Sequence, residues 1–131
     1  MPTLQHNPGT LAPPARNLYS HGVETRGPGR QLFIAGQVGV RLDGSIPEAF
    51  DDQVRQMMDN IGAVLASAGM GFDDIVKITA YCRSAEEIIG YAGIRNGYFS
   101  DKPPATTAFV VSGLANPAWL IEADAIAFKA D

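Results

Sequence analysis

The stretch Leu120-Ile-Glu-Ala-Asp-Ala-Ile-Ala-Phe128 alternates with a period of two. Side chains along a strand point to opposite faces by turns. Glu122, Asp124, Ile126 and Phe128 therefore share one face, and Ile121, Ala123, Ala125 and Ala127 share the other. The alanine face is small and smooth, which suits a helix lying close against it. The other face begins acidic and ends apolar. That mixture fits neither plain solvent nor plain core, so a further surface is expected to cover it.

Reading outward from this strand, Ile75 to Cys82 also alternates, with Val76, Ile78, Ala80 and Cys82 against Lys77, Thr79 and Tyr81. Thr106 to Ser112 reads as a strand, and so does Leu32 to Gly39, whose β-branched and aromatic content favours extended backbone. Gly36 inside the latter marks a bulge, or a place where another group comes close to the backbone. The spacing of Phe50, Val54, Met57, Ile61, Val64, Leu65 and Ala68 predicts a helix over Ala49 to Ala68, stopped by Gly69. Ser84 and Glu87 form a capping-box pattern for a second helix reaching Phe99, before Pro103 and Pro104 turn the chain. Residues 1–16 read as an extended segment rich in proline, with His6 in a mobile tail. Tyr19 to Val23 reads as a short edge strand.

The order strand, helix, strand, helix, strand, strand predicts an α+β fold, one sheet with two helices on one face. The uncovered face would leave Ile126 and Phe128 exposed, so self-association is expected.

At 131 residues and 46% hydrophobic content the chain makes one domain, 1–131, with a real core. Its net charge of -4, without a run of Lys or Arg, argues against nucleic acid as a partner. Cys82 is the single cysteine, which rules out an internal disulfide. Neither a leader-like start nor an apolar run of membrane-spanning length is present, so a soluble, cytoplasmic protein without membrane contact is expected. Two distant histidines and one cysteine make no metal set, and Gly27-Pro28-Gly29 lacks the lysine and helix of a phosphate loop. No cofactor is called for.

Glu122 is the first candidate for chemistry. A strand carboxylate beside a subunit interface is in a desolvated setting that suits acid or base work, and the alternative is a structural ion pair with Lys77. Asp124 reads as structural and Cys82 as a small buried hydrophobe. Tyr19 and His21, flanked by glycine, are placed to line a pocket, although His21 reads more simply as a loop residue.

Taken together, Tyr19-Ser-His-Gly-Val23, Leu32-Phe-Ile-Ala-Gly-Gln-Val38, Gln53 through Asn60 to Gly69, Asp74-Ile-Val-Lys-Ile-Thr79, Pro104-Ala-Thr-Thr107 and Ile121-Glu-Ala-Asp-Ala-Ile-Ala127 resemble the RidA family, also called YjgF or L-PSP. The resemblance spans nearly the whole chain. It implies a chorismate-mutase-like α+β fold and a homotrimer with a central barrel, outer helices and clefts between subunits. In such clefts family members hydrolyse 2-imino or enamino acids to 2-keto acids and ammonia without a metal.

Carried over by position, the resemblance makes Glu122 the residue that positions or activates water, Tyr19 the pocket tyrosine and Gly36 a backbone contact. The family's carboxylate-binding arginine falls on Thr106, with Thr107 and Ala108 beside it. The family's serine falls on Ala35 and its helix asparagine on Ala92. Threonine cannot give the bidentate, permanently charged clamp of arginine. The resemblance, with this change, implies a deaminase-like hydrolase of altered substrate range. Thr106 and Thr107 would offer hydroxyls to a small-molecule ligand, with Arg83, Arg95 or Lys102 as other sources of charge. A ligand-binding or regulatory trimer without turnover is the alternative. An endoribonuclease of the L-PSP type fits the acidic charge less well.

Overall fold

The computed structural model describes residues 3–131, the side chain of Arg16 apart. Strand β6 (Ile121–Ala130) lies inside a four-stranded sheet of order β3-β6-β4-β5, formed with β3 (Gly29–Val38), β4 (Ile75–Cys82) and β5 (Ala105–Val110). It runs antiparallel to both β3 and β4, while β4 and β5 are parallel and joined through a helix. The sheet is therefore mixed. A separate two-stranded ribbon pairs β1 (Thr3–His6) with β2 (Gly22–Thr25).

Ile121, Ala123, Ala125 and Ala127 are buried under two helices, α1 (Phe50–Ser67) and α2 (Ala85–Arg95), which cover the same face of the sheet. Alanine at these positions lets the helices sit close. Helix α1 buries Gln53, Val54, Met57, Met58, Ile61 and Leu65, and each fully buried large apolar side chain contributes ~2 kcal/mol. Asp51 and Asp52 lie in its first turn, where the helix dipole favours negative charge. It ends at Ser67 with Ala68 as its C-cap, and Gly69 follows at φ 71°, the left-handed conformation that favours glycine.

Helix α2 starts as its sequence pattern requires on one side only. Ser84 Oγ accepts from the Glu87 N–H at 3.1 Å, but the Glu87 carboxylate accepts from the Arg83 N–H and guanidinium, not from Ser84. The helix also stops at Arg95, and Asn96–Tyr98 tightens into a 3₁₀ turn short of the expected Phe99. Further departures are local. The edge strand expected over Tyr19–Val23 is Gly22–Thr25 instead, and His6 belongs to β1, where it pairs with Gly22 and contacts Glu24 at 2.8 Å. Four-residue strands carry too little alternation to announce themselves and exist here through their pairing.

Phe128 keeps the face it shares with Ile126 but is not exposed there as expected. It is 6% exposed, its ring packed over the Gly29 backbone, so the apolar open face consists of Phe33 (69% exposed), Ile126 and Phe109 (51%) instead. Among the described residues, no helix is long and apolar enough to cross a membrane.

Candidate functional site

On the open face three strands align their polar side chains in rungs. Glu122 lies opposite Tyr81 on β4 and Val38 on β3, and Tyr81 lies beside Phe109 on β5. The next rung holds Asp124, Thr79 and Thr107, and the one after it Ile126, Lys77 and Ala105. Tyr81 donates its hydroxyl to Asp124 at 3.0 Å and stacks on Phe109, ring centroids 6.0 Å apart. That hydrogen bond, with burial second, raises the Tyr81 pKa above the usual phenol value. Asp124, read from the sequence as structural, thus has a hydrogen-bond partner within the sheet.

The ion pair weighed for Glu122 does not form. Although β4 and β6 adjoin, Lys77 sits in register with Ile126, four residues away along β6, or ~13 Å. Its ammonium donates instead to Thr107 Oγ1 at 2.6 Å. Among the described residues the half-buried Glu122 carboxylate has no hydrogen-bond or ion-pair partner. Its seat is made by β3, whose register slips between Ile34 and Gln37 and so brings Gly36 against it. A Cβ at residue 36 would overlap Glu122 Oε2 and lie 2.9 Å from its Cδ. Only glycine leaves room for the carboxylate there. Gly36→Ala is expected to swing the carboxylate away by more than ~1 Å, visible in a crystal structure of the variant; an unmoved Glu122 would refute this account of the bulge.

Asn60 holds the end of β3 in place, donating from α1 to the carbonyls of Val38 at 3.0 Å and Val40 at 2.9 Å. Its own Oδ1 accepts from Gln56, which fixes the amide orientation.

Tyr19 lies elsewhere. Ser20 bridges Ala105 on the outer edge of β5, three strand spacings and two rungs from Glu122, or roughly 20 Å. Tyr19 lines an open cleft of about 530 Å³ with Asn17, Asn96, Phe99 and Pro103. His21 is a loop anchor: its Nε2–H donates to the Ala12 carbonyl at 2.7 Å and its ring meets Tyr19 edge to face. One chain therefore cannot present Tyr19 and Glu122 to the same small molecule.

Thr106 and Thr107 also part company, because successive strand residues face opposite ways. Thr107 shares the open face with Lys77, whereas Thr106 turns to the helix side with Ile78. There its Oγ1 accepts from Arg95 Nη1 at 2.9 Å. Ala108 lies exposed on that side of β5. Of the other charges considered, Arg83 is held by Glu87 at 2.6 Å on the surface. Lys102 sits beside Asp101, away from the Glu122 rung. Burial pushes the Cys82 thiol up to about 11, so it is an inert core group.

Gln53, Asn60 and Arg95 carry structural duties that the sequence alone did not assign to them. A signal existed for two of them: Gln53 precedes Met57, Ile61 and Leu65 at steps of four, and Arg95 follows Ile88 and Tyr91 at steps of three and four. A polar residue on an apolar stripe points to a buried hydrogen-bonding duty.

Comparison with known proteins agrees with this fold. Residues 9–129 match the family described as Endoribonuclease L-PSP. The chain is 39% identical over 103 residues to the RutC family protein YjgH of Escherichia coli, covering 77% of this chain and 76% of that protein. It is 32% identical over 124 residues to a mouse 2-iminobutanoate/2-iminopropanoate deaminase, covering 92% and 87%. The crystal structure of the Rid family protein YyfB from Yersinia pestis superposes with a TM-score of 0.87 at 31% identity, covering 97% of this chain and 98% of that one.

Proposed function

We propose a hydrolytic role for this chain, which belongs to the RidA (YjgF, L-PSP) family, with Glu122 as its water-positioning group. The observation that carries the reading is the Glu122 carboxylate, seated against Gly36 and left without a partner among the described residues. Such a carboxylate can take a proton from water as the water oxygen attacks the carbon of a C=N bond. The nitrogen gains protons and departs as ammonia, leaving a carbonyl. Neither a metal nor an organic cofactor enters this scheme. The naming of the mouse relative as an imine deaminase supports the reaction class.

The separation of Tyr19 from Glu122 supports a site assembled from more than one copy. Phe33 and Phe109, exposed on the face that carries Glu122, supply the apolar surface for that assembly, and we take the form to be a homotrimer with clefts between subunits. The acidic lining, Asp124 and Glu122 with Lys77 two rungs away from Glu122, is a poor seat for a phosphate backbone and disfavours the ribonuclease reading.

Substrate range depends on Thr106. The guanidinium beside it belongs to Arg95, which is 3% exposed and already donates to Thr106 and to the Leu18 carbonyl. It is not free to clamp a carboxylate, so the preferred ligand is a small imine or enamine that lacks that carboxylate. The test is ammonia release above the spontaneous rate from imines generated in situ, by an amine oxidase for neutral imines and an amino-acid oxidase for 2-iminobutyrate. Acceleration of the neutral imine, with kcat/KM for 2-iminobutyrate lower by roughly a hundredfold, is expected. Equal acceleration of both would show that Thr106 does not set the substrate range. Acceleration of neither would favour a ligand-binding trimer without turnover.

A further inference from the structure

We propose that Arg95 is a positioning residue, a buried guanidinium that locks Tyr19 and Thr106 into one unit. It sits at the end of α2, where the helix dipole favours a cation, and stacks over the Tyr91 ring at 5.4 Å. Among the described residues no carboxylate pairs with it, and its Nε is buried without an acceptor. Burying a charge on such terms is costly, so the geometry it enforces must matter.

That geometry is specific. Nη2 donates to the Leu18 carbonyl at 2.8 Å, at the close of the 3₁₀ turn Ala15–Asn17 and immediately before Tyr19. Immediately after Tyr19, the Ser20 N–H donates to the Pro104 carbonyl at 3.0 Å and its hydroxyl to the Pro103 carbonyl at 2.6 Å. The backbone on either side of Tyr19 is thus held from α2 and from the entry to β5, and the ring, edge to face with His21, lies in the wall of the cleft. Nη1 meanwhile donates to Thr106.

The same contact accounts for threonine at residue 106. An arginine there would set a second guanidinium against the first, whereas threonine supplies the oxygen that Arg95 needs. Arg95 and Thr106 are therefore a matched pair, and the pair ties the Tyr19 wall of one chain to its β5 edge. The role assigned to Tyr19 rests on the hydrolytic reading above; the clamp itself does not.

The test separates the two. The full chain is labelled with 3-fluorotyrosine, and its four tyrosine signals are assigned by Tyr→Phe variants. Arg95→Met and Thr106→Val are expected to shift the Tyr19 fluorine resonance, and Arg95→Lys to return it toward the wild-type position. Tyr98, which contacts Asp59 instead, should stay in place. Thr106→Val alone decides the matter if Arg95→Met does not fold. A Tyr19 resonance unmoved in both variants, even with a lowered Tm, would reduce Arg95 to a stabilising residue and overturn the proposal. With an accelerated imine in hand, Arg95→Met should also lower kcat by roughly tenfold or more, with less change in KM. If no imine is turned over, the hydrolytic reading fails while the fluorine result still decides the clamp.

Discussion

Glu122→Gln is expected to lower kcat for hydrolysis of the preferred imine by roughly 10²–10⁴-fold, the range that removal of a positioned general base produces. Glutamine keeps the length and hydrogen-bonding reach of the side chain and fits the same gap beside Gly36, so the fold should survive. It cannot accept the proton that water must lose. The neighbouring carboxylate offers no rescue, because Asp124 accepts from Tyr81 and lies one rung away. Asp124→Asn should therefore leave kcat within a few-fold of wild type, and the contrast between the two variants is the informative result. Measuring kcat and KM separately also distinguishes chemistry from binding. A Glu122→Gln protein that retains full turnover would end the hydrolytic reading based on this residue.

Gln53→Ala is the change expected to cost most stability outside the apolar core. Gln53 is 1% exposed, and its amide is fully used. Nε2 donates to the carbonyls of Pro47 at 2.8 Å and Ala118 at 2.9 Å, while Oε1 accepts from the Leu120 N–H at 2.9 Å. One side chain on α1 thus gathers the loop before the helix and the chain entering β6. Alanine would leave buried backbone groups without partners at ~1–3 kcal/mol each, so a loss of about 3 kcal/mol or more is expected. For a chain of this size that corresponds to a fall in Tm of roughly 10 °C, compared at one protein concentration because association shifts Tm. Gln53→Glu keeps the acceptor but cannot donate to two carbonyls, and it should fall near the alanine variant. A Tm within ~2 °C of wild type for Gln53→Ala would show that water replaces the amide and that the loops do not depend on it.

The two predictions draw on different levels of description. Glu122 could be singled out from alternation alone, since an acidic residue between Ile121 and Ala123 in a strand must share a face with Asp124 and Ile126. The strand, its buried alanine face, the helix Phe50–Ser67 with its glycine stop, and the α+β class all derive from local periodicity, which is a property of consecutive residues. The resemblance to the RidA family was likewise legible in motifs that run along the chain.

Periodicity has no power over which strand lies beside which, or at what register. The register places Lys77 at Ile126 and dissolves the ion pair that sequence allowed with Glu122. The order β3-β6-β4-β5 puts Tyr19 roughly 20 Å from Glu122, so residues that a motif groups together are divided between surfaces. The slip in β3 brings Gly36 against the carboxylate, where glycine alone could equally have marked a simple twist. Arg95 shows the limit most plainly. Its place on the stripe of α2 was written in the sequence, but its partners Leu18 and Thr106 come from segments 77 and 11 residues away. Hydrogen bonds across such separations depend on the closed tertiary structure, and with them the choice of groups free to meet a ligand.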